Sequence, residues 1–269
     1  RWGMNPRSRM KTLRAKIVAD GLNDASFDVR QTGVHLDAEG FNTLTEKEDT
    51  ILIDMRNHYE SEVGHFKGAI TPDVDTFREE IELVEDMLQG KEQKDIVMYC
   101  TGGIRCEKAS AWLKHKGFPN VHQLDGGIIE YTRQVREMGL ENRFIGKNFV
   151  FDERRAERIS EDVIADCHQC GAPCDDHTNC LNVACNLLFI QCAQCTVEYK
   201  GTCCSKCRDT VQLPEDEQKK LRRGVKDSAK IFNKARLRDA LKRDHLNNGR
   251  SSALGVRLSE KENPESPEN

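Results

Sequence analysis

Cys100 closes an apolar run, DIVMYC at 95–100, and is followed at once by TGGIR and a stretch of helical periodicity. A buried strand that ends in a thiol, turns through two glycines and enters a helix leaves few folds open. In open α/β sheets the reactive crevice lies beyond the carboxyl ends of the strands, where the next helix offers its N-terminal N–H groups to negative charge. The flanking sequence repeats this rhythm. TILIDM (50–55) and Val121–Leu124 read as further short buried strands. Phe77, Ile81, Val84 and Leu88 lie at helical spacing, with Gly90 as a stop. Glu107–Lys116 places Ala109, Trp112 and Leu113 on one face, and Gly126–Gly127 leads into a helix from about 128 to 138. Strands alternating with helices predict an α/β domain over 30–140, with a parallel central sheet flanked by helices.

The loop itself carries chemistry. A thiol ringed by inward-facing N–H groups ionises more readily, so Cys100 is the candidate nucleophile. Thr101, Gly102, Gly103 and Ile104 complete the loop, the two glycines allowing its curvature. Arg105 is expected either to bond the loop's own carbonyls or to meet an anionic substrate. Cys106 is placed to resolve a persulfide or sulfenate on Cys100, although a cysteine there is more often a small packing residue.

The remaining thiols form a separate group. Of twelve cysteines, ten lie between Cys167 and Cys207. Thiols so clustered, with no secretory signal, point to a reducing cytoplasm and to metal binding before disulfides. The C-x-x-C knuckles at 167–170, 192–195 and 204–207 predict Cys167, Cys170, Cys192, Cys195, Cys204 and Cys207 as ligands of structural zinc in a zinc-ribbon-like module over 167–212. Disulfides, redox pairs and an iron–sulfur cluster are the alternatives, the last without a matching ferredoxin spacing.

The net charge of −4 announces no nucleic-acid partner, and no apolar run reaches the length of a membrane span. Charge is concentrated locally instead. From 213 to the end the chain reads as a basic, partly disordered tail. Within it Lys219, Lys220, Arg222, Arg223, Lys230, Lys234 and Arg236 are either a solvated run or an electrostatic footprint for RNA.

Three motifs in order, IDMRNHYESEVGHFKGAI (53–70), CTGGIR (100–105) and LDGGIIEY (124–131), resemble the rhodanese domain. The resemblance implies that Asp54 and Arg56 brace the domain and that Glu60 anchors the loop framework. The six-residue span from Cys100 to Arg105 is similar to that of sulfur-handling rhodaneses, whereas the Cdc25-type phosphatases have one residue more. FIGKNFVFDERRAERIS (144–160), HQCGAPCDDHTNC (168–180), LLFIQCAQC (187–195) and IFNKAR (231–236) extend the likeness. Together they resemble the rhodanese-domain tRNA uridine hydroxylases. That likeness implies oxygen-dependent conversion of the wobble uridine of tRNA to 5-hydroxyuridine, with Cys100 essential. Molecular oxygen is then a co-substrate, tRNA the partner, and a sulfur- or electron-donor protein a further one. It also implies that 1–29 is the remnant of an N-terminal domain and its linker; 141–166 reads from the order of the chain as a linker to the cysteine-rich module. No two-histidine-one-carboxylate site or nucleotide-binding glycine motif accounts for oxygen activation. A sulfurtransferase carrying a persulfide on Cys100 is the rival enzyme, and a non-catalytic rhodanese and zinc binding module the rival outside enzymes.

Overall fold

The computed structural model describes residues 26–151 and 155–223. Four strands, β1 (Val34–Leu36), β2 (Ile51–Asp54), β4 (Ile96–Tyr99) and β5 (Val121–Leu124), form a parallel sheet in the order β1–β5–β4–β2. Ile51 lies opposite Ile96, and Asp54 opposite Tyr99. Successive side chains alternate between the sheet's faces. Ile53, Ile96 and Met98 pack against α3 (Phe77–Leu88) and α4 (Ile104–His115) through Ile81, Val84, Ala109 and Leu113. Leu52, Val97, Tyr99 and Leu124 pack against α1 (Ala38–Thr45) and α5 (Gly127–Met138) through Phe41, Ile128, Tyr131 and Val135. Covering both faces is what makes these strands apolar without interruption.

Local chemistry sets where the helices begin. Thr76 caps α3 in a reciprocal box with Glu79. α4 starts at Ile104, earlier than periodicity suggests, because Gly103 at φ +84° turns the chain directly into it. Between β2 and α3 lie the single-turn helix α2 (His58–Ser61) and β3 (Gly64–Phe66).

Residues 141–166 are not a free linker. They contain β6 (Phe144–Phe149) and β7 (Ala156–Arg158), and β6 pairs antiparallel with β3. Aromatic packing draws the segment in: Phe144 meets Phe66 with ring centres 5.2 Å apart, and Phe149 meets Tyr59 at 5.2 Å. The strands cross closely at two glycines. A Cβ on Gly64 would sit 2.6 Å from the Lys147 nitrogen and closer still to its carbonyl oxygen, while Gly146 takes φ +84° over the Val63 carbonyl.

The cysteine-rich module follows, with a hairpin of β8 (His177–Asn179) and β9 (Leu188–Ile190) and the short helices α6 (Ala193–Glu198) and α7 (Ser205–Val211). Val63 of the first domain packs with Ala165, Cys167, Cys174, Ile190 and Cys195 of the module. Polar contacts reinforce this: His168 bonds Glu62 at 2.8 Å, and Asp175 meets both Lys147 and Arg158 at 2.7 Å. Beyond 213 the chain forms α8 (Glu215–Arg222) before the described residues end, where a basic tail was expected. Three acids in its first turn and three bases in its last suit the helix dipole.

Gly64→Ala should lower stability by about 3 kcal/mol, as overpacking at backbone does, whereas Gly102→Ala, whose Cβ meets nothing within 4 Å, should change it little. Denaturant titration of both variants checks this; equal midpoints would remove the steric account of the β3–β6 crossing.

Candidate active site and thiolate clusters

Cys100 follows β4 directly and is only 2% exposed. Burial alone would keep its thiol protonated. The surroundings reverse that. The Cys106 thiol donates to its sulfur, the Arg105 guanidinium lies nearby, and the backbone N–H groups of Arg105 and Cys106 point at it. The Gly103 N–H adds a bond of 3.1 Å. The pKa of Cys100 is thereby lowered to about 6, so the sulfur is largely thiolate at neutral pH. Cys106 is pushed up by burial and by the bond to Cys100, which keeps it a neutral donor. It is wholly buried in the core around α4, so it serves as both packing residue and hydrogen-bond donor.

The loop is held from two sides. Ile128 N–H donates to the Cys100 carbonyl at 3.0 Å, and Ile129 N–H to the Thr101 carbonyl at 3.2 Å. This close approach requires the glycine pair: a Cβ on Gly127 would lie 2.8 Å from the nitrogens of Gly102 and Gly103. From the other side comes Glu60, fully buried on α2. Its carboxylate takes two bonds from Arg105, at 2.8 and 2.9 Å, one from Asn57 N–H at 3.1 Å and one from the Thr101 hydroxyl at 3.3 Å. Arg105 also donates to the Met55 carbonyl at 3.2 Å. Arg105 therefore neither bonds its own loop's carbonyls nor stands free for an anion; it ties the loop to α2 and to Met55, just past β2.

Asp54 and Arg56 form a second buried pair beneath. Arg56 donates to both Asp54 oxygens, at 2.8 and 2.6 Å, and to the Gly64 carbonyl at 2.6 Å, while the Tyr99 hydroxyl donates to Asp54 at 2.8 Å. One ion pair thus joins β2, β3 and β4 under the reactive loop. Around its edge Ile104, Ile129 and Phe151 are exposed, with the Arg105 guanidinium 5.9 Å from the centre of the Phe151 ring.

The other cysteines converge in two places. The sulfurs of Cys167, Cys170, Cys192 and Cys195 all lie within 4.8 Å of one another, as do those of Cys180, Cys185, Cys203 and Cys207. Both quartets have the donor set of a tetrahedral thiolate site. The second departs from the sequence expectation, which named Cys204 with Cys207 and omitted Cys180, Cys185 and Cys203. The reason is local: Cys204 is the cap residue before α7, and Cys203 and Cys207, one helical turn apart, turn toward the hairpin. A C-x-x-x-C spacing spanning a helix start was the only available signal. Cys174 and Cys204 fall outside both quartets.

Of the basic residues, Lys219, Lys220, Arg222 and Arg223 lie on α8 and its cap, with Lys219 bonded to Glu215 at 2.9 Å. Lys230, Lys234 and Arg236 lie outside the described residues. No described helix is long and apolar enough to cross a membrane.

A rhodanese-like domain bearing an activated thiol and fused to a module of paired cysteine quartets is the class that this fold and site define. Residues 37–134 match the family described as Rhodanese-like domain, and residues 145–208 the one described as Rhodanase C-terminal. A protein of Photorhabdus laumondii named tRNA uridine(34) hydroxylase is 58% identical over 230 residues, covering 86% of this chain and 65% of that protein. One of Yersinia pestis with the same name is 56% identical over 224 residues, covering 83% of this chain and 63% of the relative. The chain is similar to proteins that carry that name, and its residues 37–134 form a rhodanese-like domain. It spans about two thirds of the length of these relatives. Among solved structures, a thiosulfate sulfurtransferase from Pseudomonas aeruginosa is 22% identical, covering 48% of this chain and 22% of that one, with a TM-score of 0.34, too slight a likeness to carry an argument.

Cys106→Ala removes the largest contribution to the lowered thiol pKa. The alkylation rate of Cys100 should rise with pH through a midpoint at about 6 in the parent protein, and through one displaced toward 9 in the variant. An unmoved midpoint would mean that the loop amides and Arg105 suffice.

Proposed function

We propose that the chain hydroxylates the wobble uridine of tRNA at C5, with dioxygen as co-substrate and Cys100 as the group that activates the base. The observation that carries this reading is the Cys100 thiolate, held at a pKa of about 6 in a loop sealed by Glu60, Arg105 and the start of α5. A thiolate adding to C6 of the uracil ring forms an S–C6 bond and moves the C5–C6 π pair toward C5 and O4, making C5 nucleophilic. The amides of the loop supply fixed donors where negative charge develops. Arg105 contributes by position, since its donors already serve Glu60 and Met55. Ile104, Ile129 and Phe151 offer apolar faces to a flat base at the loop's edge. One oxygen atom goes to C5 and the other leaves as water, with two electrons and two protons coming from a donor protein or a thiol. Loss of the C5 proton then restores the C5–C6 double bond and expels Cys100 as thiolate, breaking the S–C6 bond. Lys219, Lys220, Arg222 and Arg223, with Lys230, Lys234 and Arg236 beyond them, are the phosphate-binding candidates, and a cytoplasmic location follows from the substrate.

The same thiolate supports the sulfurtransferase reading, in which Cys100 carries sulfane sulfur from thiosulfate or a protein persulfide. Restoring the gene to cells that lack it should restore 5-hydroxyuridine in their tRNA nucleosides, and Cys100→Ser should abolish it. Retained product in that variant would sink the mechanism. Thiosulfate:cyanide sulfur transfer without any tRNA effect would favour the rival.

We further propose that each cysteine quartet holds one structural zinc ion. Four thiols this crowded do not ionise together without a cation: burial and bonds from Cys170 and Cys192 push Cys195 up, while the Cys195 N–H lowers Cys192 to about 7. Metal analysis of the purified protein should give two ions per chain. Cys180→Ser should remove one of them and Cys204→Ser neither; a loss with Cys204→Ser would restore that residue as a ligand.

A further inference from the structure

Glu80 lies in the first turn of α3, is fully buried, and has no hydrogen-bond partner among the described residues at either carboxylate oxygen. Its helix packs through Ile81 and Val84 into the same core as Cys100 and Cys106, and the charges of Cys100 and Arg105 are among those that act on the carboxyl. The charged and titratable groups facing it are Asp54 from β2, Glu60 from α2, Cys100 from the loop, and Arg105 and Cys106 from α4. Lys108, also on α4, lies over the Phe77 ring at 4.2 Å.

Charge balance decides the state of Glu80. The two guanidinium groups here are already matched, Arg56 by Asp54 and Arg105 by Glu60. Ionised Glu80 would add to the negative charge of the Cys100 thiolate one that neither guanidinium matches. The helix N-terminus favours a carboxylate modestly. An unpaired carboxylate sealed from water costs more than that, so burial wins. Burial is also the leading cause that raises its pKa well above the ordinary carboxylate range, with Asp54, Glu60 and Cys100 adding to it against Arg105.

We propose that Glu80 is the second ionising group of the Cys100 site, a carboxylic acid that stays protonated while the thiolate acts and whose ionisation closes the site to anions at alkaline pH. Protonated, it is an O–H donor without an acceptor among the described residues, next to the place where negative charge builds. Neutral buried acids serve in this way where an anion must be stabilised at neutral pH. Glu80 is a positioning residue, acting through Cys100. Its effect on turnover, an alkaline limb in the pH profile, rests on the hydroxylase reading, but its coupling to Cys100 does not.

The test therefore uses the full chain without tRNA. Infrared spectroscopy at neutral pH should show a protonated-carboxyl C=O stretch that disappears in Glu80→Gln and Glu80→Met. In Cys100→Ser, where the neighbouring negative charge is gone, this band should titrate at lower pH. The ratio of iodoacetate to iodoacetamide alkylation at Cys100 should fall about tenfold or more across the alkaline range in the parent and stay flat in both Glu80 variants. No acid band, a band unmoved in Cys100→Ser, or the same ratio profile in parent and variants would each overturn the proposal. The band in the parent and in Cys100→Ser decides the question even where the Glu80 variants fail to fold. Normal coupling with no 5-hydroxyuridine would fault the hydroxylase reading alone.

Discussion

The ion pair between Glu60 and Arg105 holds the reactive loop in shape. Without it, Cys100, Thr101 and Gly103 would be a glycine-rich turn with several conformations, and the N–H groups that stabilise the thiolate would not converge. The pair is expensive, because both charges leave water, and breaking such a pair by removing one partner typically costs about 3–5 kcal/mol. Its return is geometric. Four donors meet the Glu60 carboxylate, and they come from the loop, the helix after it and the cap of α2. A loop fixed at that many points keeps its amides aimed at sulfur without reorganising when a substrate arrives.

Beneath it, Asp54 and Arg56 do for the sheet what the upper pair does for the loop. Arg56 is among the largest fully buried side chains described, and its partners lie on β2 and β3, with Tyr99 of β4 bonded to the same Asp54. The two layers of charge explain how a thiolate sits at the end of a hydrophobic strand. Each arginine is matched by a carboxylate, so Cys100 is held ionised chiefly by Cys106, with the charge of Arg105 and the loop amides adding to it.

The central strands and the Cys100 loop were legible because parallel strands buried on both faces spell continuous apolar runs, and because a thiol between such a run and a double glycine has few structural uses. The first cysteine quartet was legible from its two C-x-x-C knuckles. What escaped were relations between distant residues. β3 and β6 are short and recognise each other through Gly64 and Gly146, which as isolated glycines carry no signal. The partner of Arg105 lies 45 residues away, so a guanidinium beside a thiol looked available to substrate. Cys180, Cys185 and Cys203 share no local knuckle. Glu80 sits among charged residues on a helix whose polar positions read as solvated, and only the tertiary fold buries it.

The short helix α2 faces two ways. Glu60 within it grips the Cys100 loop, and Glu62 at its cap bonds His168, within the first cysteine knuckle, while Val63 packs on Cys167 and Cys195. The Cys100 loop and the cysteine module are thus both bolted to a single helical turn and its cap. The chain has two folding patterns but one mechanical unit, and a boundary drawn between them would cut through the part that both lean on.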